Sequence, residues 1–142
     1  MSQIETEEEK RERVKKEFFE IFHYGHPRFY QLIWAACEIH EKKNRGYATT
    51  SDPLSNFREC EGFGVPAWQG ALVRMSDKWS RIKNLAKVET ATSVDAIMQK
   101  AQLMESITDT LFDLSVYSLI DIILYEDYRR KKDAEASTAR NQ

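Results

Sequence analysis

Two acidic pairs stand at helical spacing in this 142-residue chain: Glu38 with Glu41, and Glu105 with Asp109. Residues three or four apart share one face of a helix. Glu38 follows directly on the apolar run Trp34-Ala-Ala-Cys37, and Asp113 continues the second row inside an otherwise apolar segment. Carboxylates so placed repel one another unless a cation lies between them. All-oxygen donors suit Mg²⁺ or Mn²⁺, and helical bundles build divalent sites from carboxylates on facing helices. An acidic pair is equally common on a solvated helix face, where Lys42 and Lys43 would pair with the first set.

Cationic and aromatic residues extend the pattern. Arg74, Lys78 and Arg81 recur at offsets of four and three beside Trp79, a row suited to a phosphate chain. Its alternative is a solvated face with Asp77 in a salt bridge. Lys42, Lys43 and Arg45 follow the first acidic pair. In Asp52-Pro-Leu-Ser-Asn-Phe57, the Asn56 amide could read a base edge or sugar hydroxyl and the Phe57 ring could stack on a base. Asp52-Pro53 is also an ordinary turn signal, and Phe57 an ordinary hydrophobic anchor. No phosphate-binding glycine loop, GxSxG, HExxH or GxGxxG occurs. His23, His26 and His40 lack zinc-site spacing with the cysteines; His40, between the two glutamates, reads as a core group or a neighbour of the ligands.

Helices must position these groups. Glycine (5) and proline (3) are scarce, and Pro27, Pro53 and Pro66 fall outside the periodic stretches. Helices are expected over 4–23, 27–45 and 67–87, then over 93–104 and 104–132 as two helices or one. Thr92 or Ser93 is placed to cap the fourth. Residues 46–66 are the long irregular stretch, expected as an ordered loop. The expected stripes are Phe29, Ile33, Ala36, Cys37 and His40; Leu72, Met75, Trp79, Ile82 and Leu85 or Ala86; and Ile107, Leu111, Leu114, Leu119, Ile122 and Ile123. The architecture is all-α, a bundle of four to five helices in one domain over 1–142. It divides into an N-terminal helix (1–24), a core (25–132) and a frayed polar tail (133–142).

Hydrophobic residues make up 42% and charged residues 31%, a globular balance. Net charge is −2, which argues against nucleic acid as the partner. Neither a secretory signal nor a run of about 18 apolar residues is present, so a cytoplasmic protein without membrane association is expected. Cys37 and Cys60 form no CxxC and read as reduced thiols, Cys37 buried on an apolar helix side.

Over residues 28–125 the sequence resembles the MazG-like all-α nucleoside triphosphate pyrophosphohydrolases, closest to the phage-type nucleotide-modification-associated domain. The resemblance rests on Glu38-x-x-Glu41, Asp52-Pro-Leu-Ser-Asn-Phe57, Arg74-x-x-Asp-Lys-x-x-Arg81 and Glu105-Ser-Ile-Thr-Asp-Thr-Leu-Phe-Asp113. It implies cleavage of a (d)NTP between the α and β phosphates, giving (d)NMP and pyrophosphate. It also implies Mg²⁺ or Mn²⁺ held by Glu38, Glu41, Glu105 and Asp109, with Glu38 or Glu41 as general base. Lys42, Arg45, Asn56, Phe57, Arg74, Lys78 and Arg81 become the substrate-binding set. A homodimer or homotetramer is implied, and control of a phage nucleotide pool in the host cytoplasm. The pattern departs at Ser106, where the family carries a second glutamate; Glu105 ligating at a four-residue spacing, or Asp113, would have to compensate. That departure keeps open a non-catalytic nucleotide-binding or dimeric interaction module of the same fold.

Overall fold

The computed structural model describes residues 5–46, 52–89 and 94–140, with 89 and 94–105 as backbone only. Among these residues the chain is all-helical, with five α-helices, one 3-10 turn and no strand. The helices are α1 (Glu7–Ile21), α2 (Pro27–Gly46), α3 (Ser55–Arg58), α4 (Ala67–Glu89) and α5 (Val94–Arg140); the 3-10 turn is Glu59–Phe63. No helix among the described residues is long and apolar enough to cross a membrane. The contacts divide the chain into two units, Met1–Gly46 and Tyr47–Gln142.

The first unit pairs α1 with α2. A capping box starts α1 at Glu7: the Thr6 hydroxyl accepts from the Glu9 amide, and the Glu9 carboxylate accepts from the Thr6 amide at 2.8 Å. Three glutamates in the first turn favour the positive helix end. His26 Nδ1 accepts from the Arg28 amide at the start of α2, and Pro27, lacking an N–H, suits the first turn. The helices meet through rings: Phe18 lies 5.6 Å and Phe19 6.3 Å from Trp34, and Phe22, just past α1, lies 5.9 Å from Tyr30. No residue of α1 is fully buried.

The second unit packs α3 and the 3-10 turn on α4, and α4 along α5. Small residues set the approach: Ala67 and Ala71 of α4 are buried with Leu54, Ile120 and Leu124, and Phe57, Trp68 and Val116 pack around them. Trp68 sits 5.3 Å from Tyr125 and 6.0 Å from Tyr128. Gly64 ends the 3-10 turn at φ 78°, a left-handed conformation that favours glycine.

Several expectations change. The stretch 46–66 holds a helical turn and a 3-10 turn, since Asp52 and Leu54 carbonyls accept from Ser55 and Phe57 amides. Helix α5 runs unbroken for 47 residues and continues to Arg140, through the segment expected as a frayed tail. Side-chain pairs of Arg129 with Asp133 and Lys132 with Glu135 support that last stretch. The caps proposed at Thr92 and Ser93 lie outside the described residues.

The buried stripes are rotated. Leu72 and Trp79 are exposed, and the inward side of α4 runs through Ala67, Ala71, Met75, Lys78 and Ile82. On α5 the buried row is Thr110, Ile120 and Leu124, whereas Leu111, Leu119, Ile122 and Ile123 are exposed. Phe29 is exposed, and so is Cys37, which corrects the expected buried thiol. Trp34, one turn before Cys37, takes the contact with the rings of α1. Both cysteines are free.

Asp121 carries a cost next to this core. Its Oδ1 is buried with no hydrogen-bond partner among the described residues, and burial pushes the carboxyl above the usual carboxylate range. A raised folded-state pKa destabilises the fold once pH exceeds the unfolded value, because the unfolded chain ionises more readily. Asp121→Asn should therefore raise the thermal midpoint at pH 7, with the gain shrinking as the pH falls through the carboxylate range. Melting curves at the two ends of that range check it; an Asn variant less stable at pH 7 would contradict it.

Candidate functional site

In the first unit, Glu38 and Glu41 project from one side of α2 into an open groove of about 220 Å³, with Arg11, Val14, Trp34 and Cys37 among its lining residues. Arg11 of α1 donates to Glu41 Oε2 at 2.9 Å, and Arg45 donates to Oε1 at 2.6 Å. The hydrogen bond from Arg45, with the charge of Arg11 beside it, holds the Glu41 carboxyl below its ordinary range. Glu38 has no ion pair among the described residues. Arg45, expected on substrate, is thus held on Glu41; Lys42 is exposed. His40 lies on the same helix, its Nε2 3.0 Å from the Asn44 amide nitrogen, so its partner is a neighbour one turn on.

In the second unit, α3 and α4 enclose a cavity of about 290 Å³ whose lining includes Asn56, Phe57, Cys60, Gly70 and Arg74. Three of the residues expected on substrate therefore share one cavity. Full ligand pockets run to about 300–1,000 Å³, so this volume suits one part of a nucleotide, such as its base. The Arg74 guanidinium carbon lies 5.3 Å from the Phe57 ring centre, and Phe57 meets Tyr117 of α5 edge-on at 5.5 Å. Gly70 has a close-approach role: a Cβ there would lie 2.6 Å from Cys60 Sγ.

The cations of α4 are engaged by other elements of this unit, unlike a solvated row. Lys78 Nζ donates to Asp113 Oδ2 at 2.6 Å and lies 5.1 Å from the Tyr117 ring centre. Arg81 Nη2 donates to the Ser106 hydroxyl at 3.0 Å. The Ser106, Thr110, Asp113 and Tyr117 row is what α5 turns toward α4; Thr110 is buried, its hydroxyl donating back to the Ser106 carbonyl. Asp113 is tied to Lys78 in this arrangement. Asp109 is exposed at the edge of the row, and the Glu105 side chain lies outside the described residues.

Tyr117 was not singled out in the sequence, although it continues the Ser106–Asp113 row at an offset of four. Arg58 was missed as well. Its Nε donates to Asp52 Oδ2 at 2.7 Å and its Nη2 to Asp127 Oδ2 at 2.6 Å.

Carboxylate oxygens, such as those of Glu38 and Glu41 in the first unit and of Asp109 in the second, are the donor type a hard divalent cation takes. Among the described residues, no three His, Cys, Asp or Glu side chains form a group that could hold a metal ion. Comparison with protein-family models, curated proteins and solved structures found no match to this chain.

Proposed function

We propose that this chain is a metal-dependent nucleoside triphosphate pyrophosphohydrolase, turning a (d)NTP and water into (d)NMP and pyrophosphate. The observation that carries the reading is the shared cavity of Asn56, Phe57 and Arg74, with Lys78 one turn further along α4. A flat base stacks on Phe57, the Asn56 amide meets its edge or the sugar, and the cations of α4 meet phosphate oxygens. Water attacks the α-phosphorus; the bond from that phosphorus to the α–β bridging oxygen breaks, and pyrophosphate leaves with the electron pair.

By the resemblance, Glu38 and Glu41 in the first unit and Glu105 and Asp109 in the second are the candidate holders of Mg²⁺ or Mn²⁺. Such an ion supplies neutralisation of phosphate charge and acidification of a water molecule. Both Glu41 oxygens already accept from Arg11 and Arg45, which holds that carboxylate ionised and makes it a poor proton acceptor. Glu38, without an ion pair among the described residues, is then the proton acceptor. The exposed Leu119, Ile122 and Ile123 on α5 support self-association into a homodimer or homotetramer.

A second reading, nucleotide binding without turnover, is favoured by one observation: Ser106 replaces a carboxylate with a hydroxyl that already accepts from Arg81. A panel of ribo- and deoxyribonucleoside triphosphates, assayed for pyrophosphate with Mg²⁺, Mn²⁺ or chelator, separates the two. Pyrophosphate release that requires metal is expected. Saturable binding with no turnover under either metal would overturn the enzyme reading in favour of the second.

A further inference from the structure

The segment from Asp52 to Phe63 forms one wall of the Asn56/Phe57 cavity, and α4 forms the other. Leu54 roots its start in the core. Asp52 shapes the turn: its Oδ1 accepts from the Leu54 amide at 2.9 Å and its backbone carbonyl from the Ser55 amide at 3.2 Å. Beyond Arg58 the anchoring thins out. Glu59, Glu61, Gly62 and Phe63 are exposed, and the Cys60 thiol reaches only the Phe57 and Pro66 carbonyls, at 3.5 and 4.0 Å.

Arg58 is the polar tie between this strap and α5. Its partners Asp127 and Asp52 lie 69 and six residues from it along the chain, and its side chain is 22% exposed, like the 23% of Asp127. A planar guanidinium can satisfy two carboxylates at once, which an ammonium on a flexible stem does with less geometric control. Arg130 also pairs with Asp127, which keeps that carboxylate in place on α5.

We propose that Arg58 is a positioning residue, whose fork between Asp52 and Asp127 holds the strap to α5 and so sets how Asn56 and Phe57 meet a nucleoside triphosphate. The proposal rests on the nucleotide reading of the cavity for its ligand, and on geometry alone for the strap. Asn56 and Phe57 are assigned to the base and sugar, so loosening the strap weakens substrate binding more than it slows the chemical step.

Cys60 offers a readout independent of activity, because it lines the cavity from the strap side. Replacing the exposed Cys37 by Ser leaves Cys60 as the only cysteine of the chain. In that full-length background, the rate of Cys60 reaction with a disulfide reagent is followed with and without dATP or dCTP. Arg58→Gln and, independently, Asp127→Asn should each speed labelling about ten-fold, through easier local opening, with Arg58→Lys intermediate. The same variants should raise KM roughly ten-fold while kcat stays within about three-fold.

Labelling in Arg58→Gln and Asp127→Asn at the parent rate would overturn the role of Arg58. So would a fall in kcat at unchanged KM. Faster labelling in the variants, with neither nucleotide protecting the parent, would keep the strap and overturn the nucleotide part. Thermal melts of each variant check that the labelling reports local opening in a folded chain.

Discussion

Glu41→Gln should abolish pyrophosphate release while the chain stays folded. The substitution keeps the shape of the side chain and removes its charge. One amide oxygen can still accept from Arg11 or Arg45, but the amide NH₂ cannot accept from the other. Both ion pairs are largely solvent-exposed, and exposed pairs contribute little, so stability should shift little. The loss of turnover should be far larger, roughly a hundred- to ten-thousand-fold, if the carboxylate is needed in the chemical step. Glu38→Gln should give a loss of the same order through the loss of the proton acceptor. Initial rates and melting curves on the same preparations test both. Turnover within about three-fold of the parent in Glu41→Gln would remove this pair from the site; a collapsed melting transition would give Glu41 a structural role instead.

Leu124→Ala should produce the largest loss of stability. Leu124 is 1% exposed, and it fills the space left by Ala67 and Ala71 on the facing helix. Neither alanine can reach into the void that truncation leaves, so the site relaxes poorly. Comparable buried leucines cost about 2–5 kcal/mol on truncation. For a chain of this length that is a drop in melting temperature of roughly 10 °C. Leu119→Ala on the same helix is the control, since Leu119 is 54% exposed. Its expected change is within about 0.5 kcal/mol in the monomer. Equal losses at the two positions would mean that the Leu119 side of α5 is buried too, as the proposed self-association requires, and dilution should then reduce the Leu119 effect. A loss below about 1 kcal/mol at Leu124 would contradict this core.

The helical class and most helix bounds were legible in the sequence, because Pro27, Gly46 and Pro66 punctuate long periodic stretches. The first helix was expected from residue 4, and the capping box Thr6-x-x-Glu9 instead starts α1 at Glu7. The buried face of α5 was not legible. Its apolar residues surround the helix between Ile107 and Tyr125, so two rows fit the same period, and packing against α4 selects Ile120 and Leu124 over Leu119 and Ile123. On α4 the two fully buried residues are Ala67 and Ala71, and alanine carries little weight beside Leu72 and Trp79 in a hydrophobic pattern. Leu72 and Trp79 stay outside because Ala67 and Ala71 let the neighbouring helix approach.

The candidate site divides along similar lines. Spacing alone grouped Arg74, Lys78 and Arg81, and the turn motif singled out Asn56 and Phe57. Spacing could not supply their partners, since Lys78 with Asp113 and Phe57 with Tyr117 are long-range pairings made only once α3, α4 and α5 pack. Arg58 escaped for the same reason: Asp127, its partner on α5, is 69 residues away. The pair Glu38 and Glu41 does share one groove, as helical spacing requires, with Arg11 and Arg45 as counter-ions.

The proposed reaction is defined by the bond that is broken. Phosphorus-31 NMR of a deoxyribonucleoside triphosphate incubated with the protein and Mg²⁺ or Mn²⁺ reads it directly. Pyrophosphate and the nucleoside monophosphate are expected in equal amounts, with no signal from either under chelator or in Glu41→Gln. Orthophosphate with a nucleoside diphosphate, or a triphosphate that binds and persists unchanged with both metals across the panel, would contradict it.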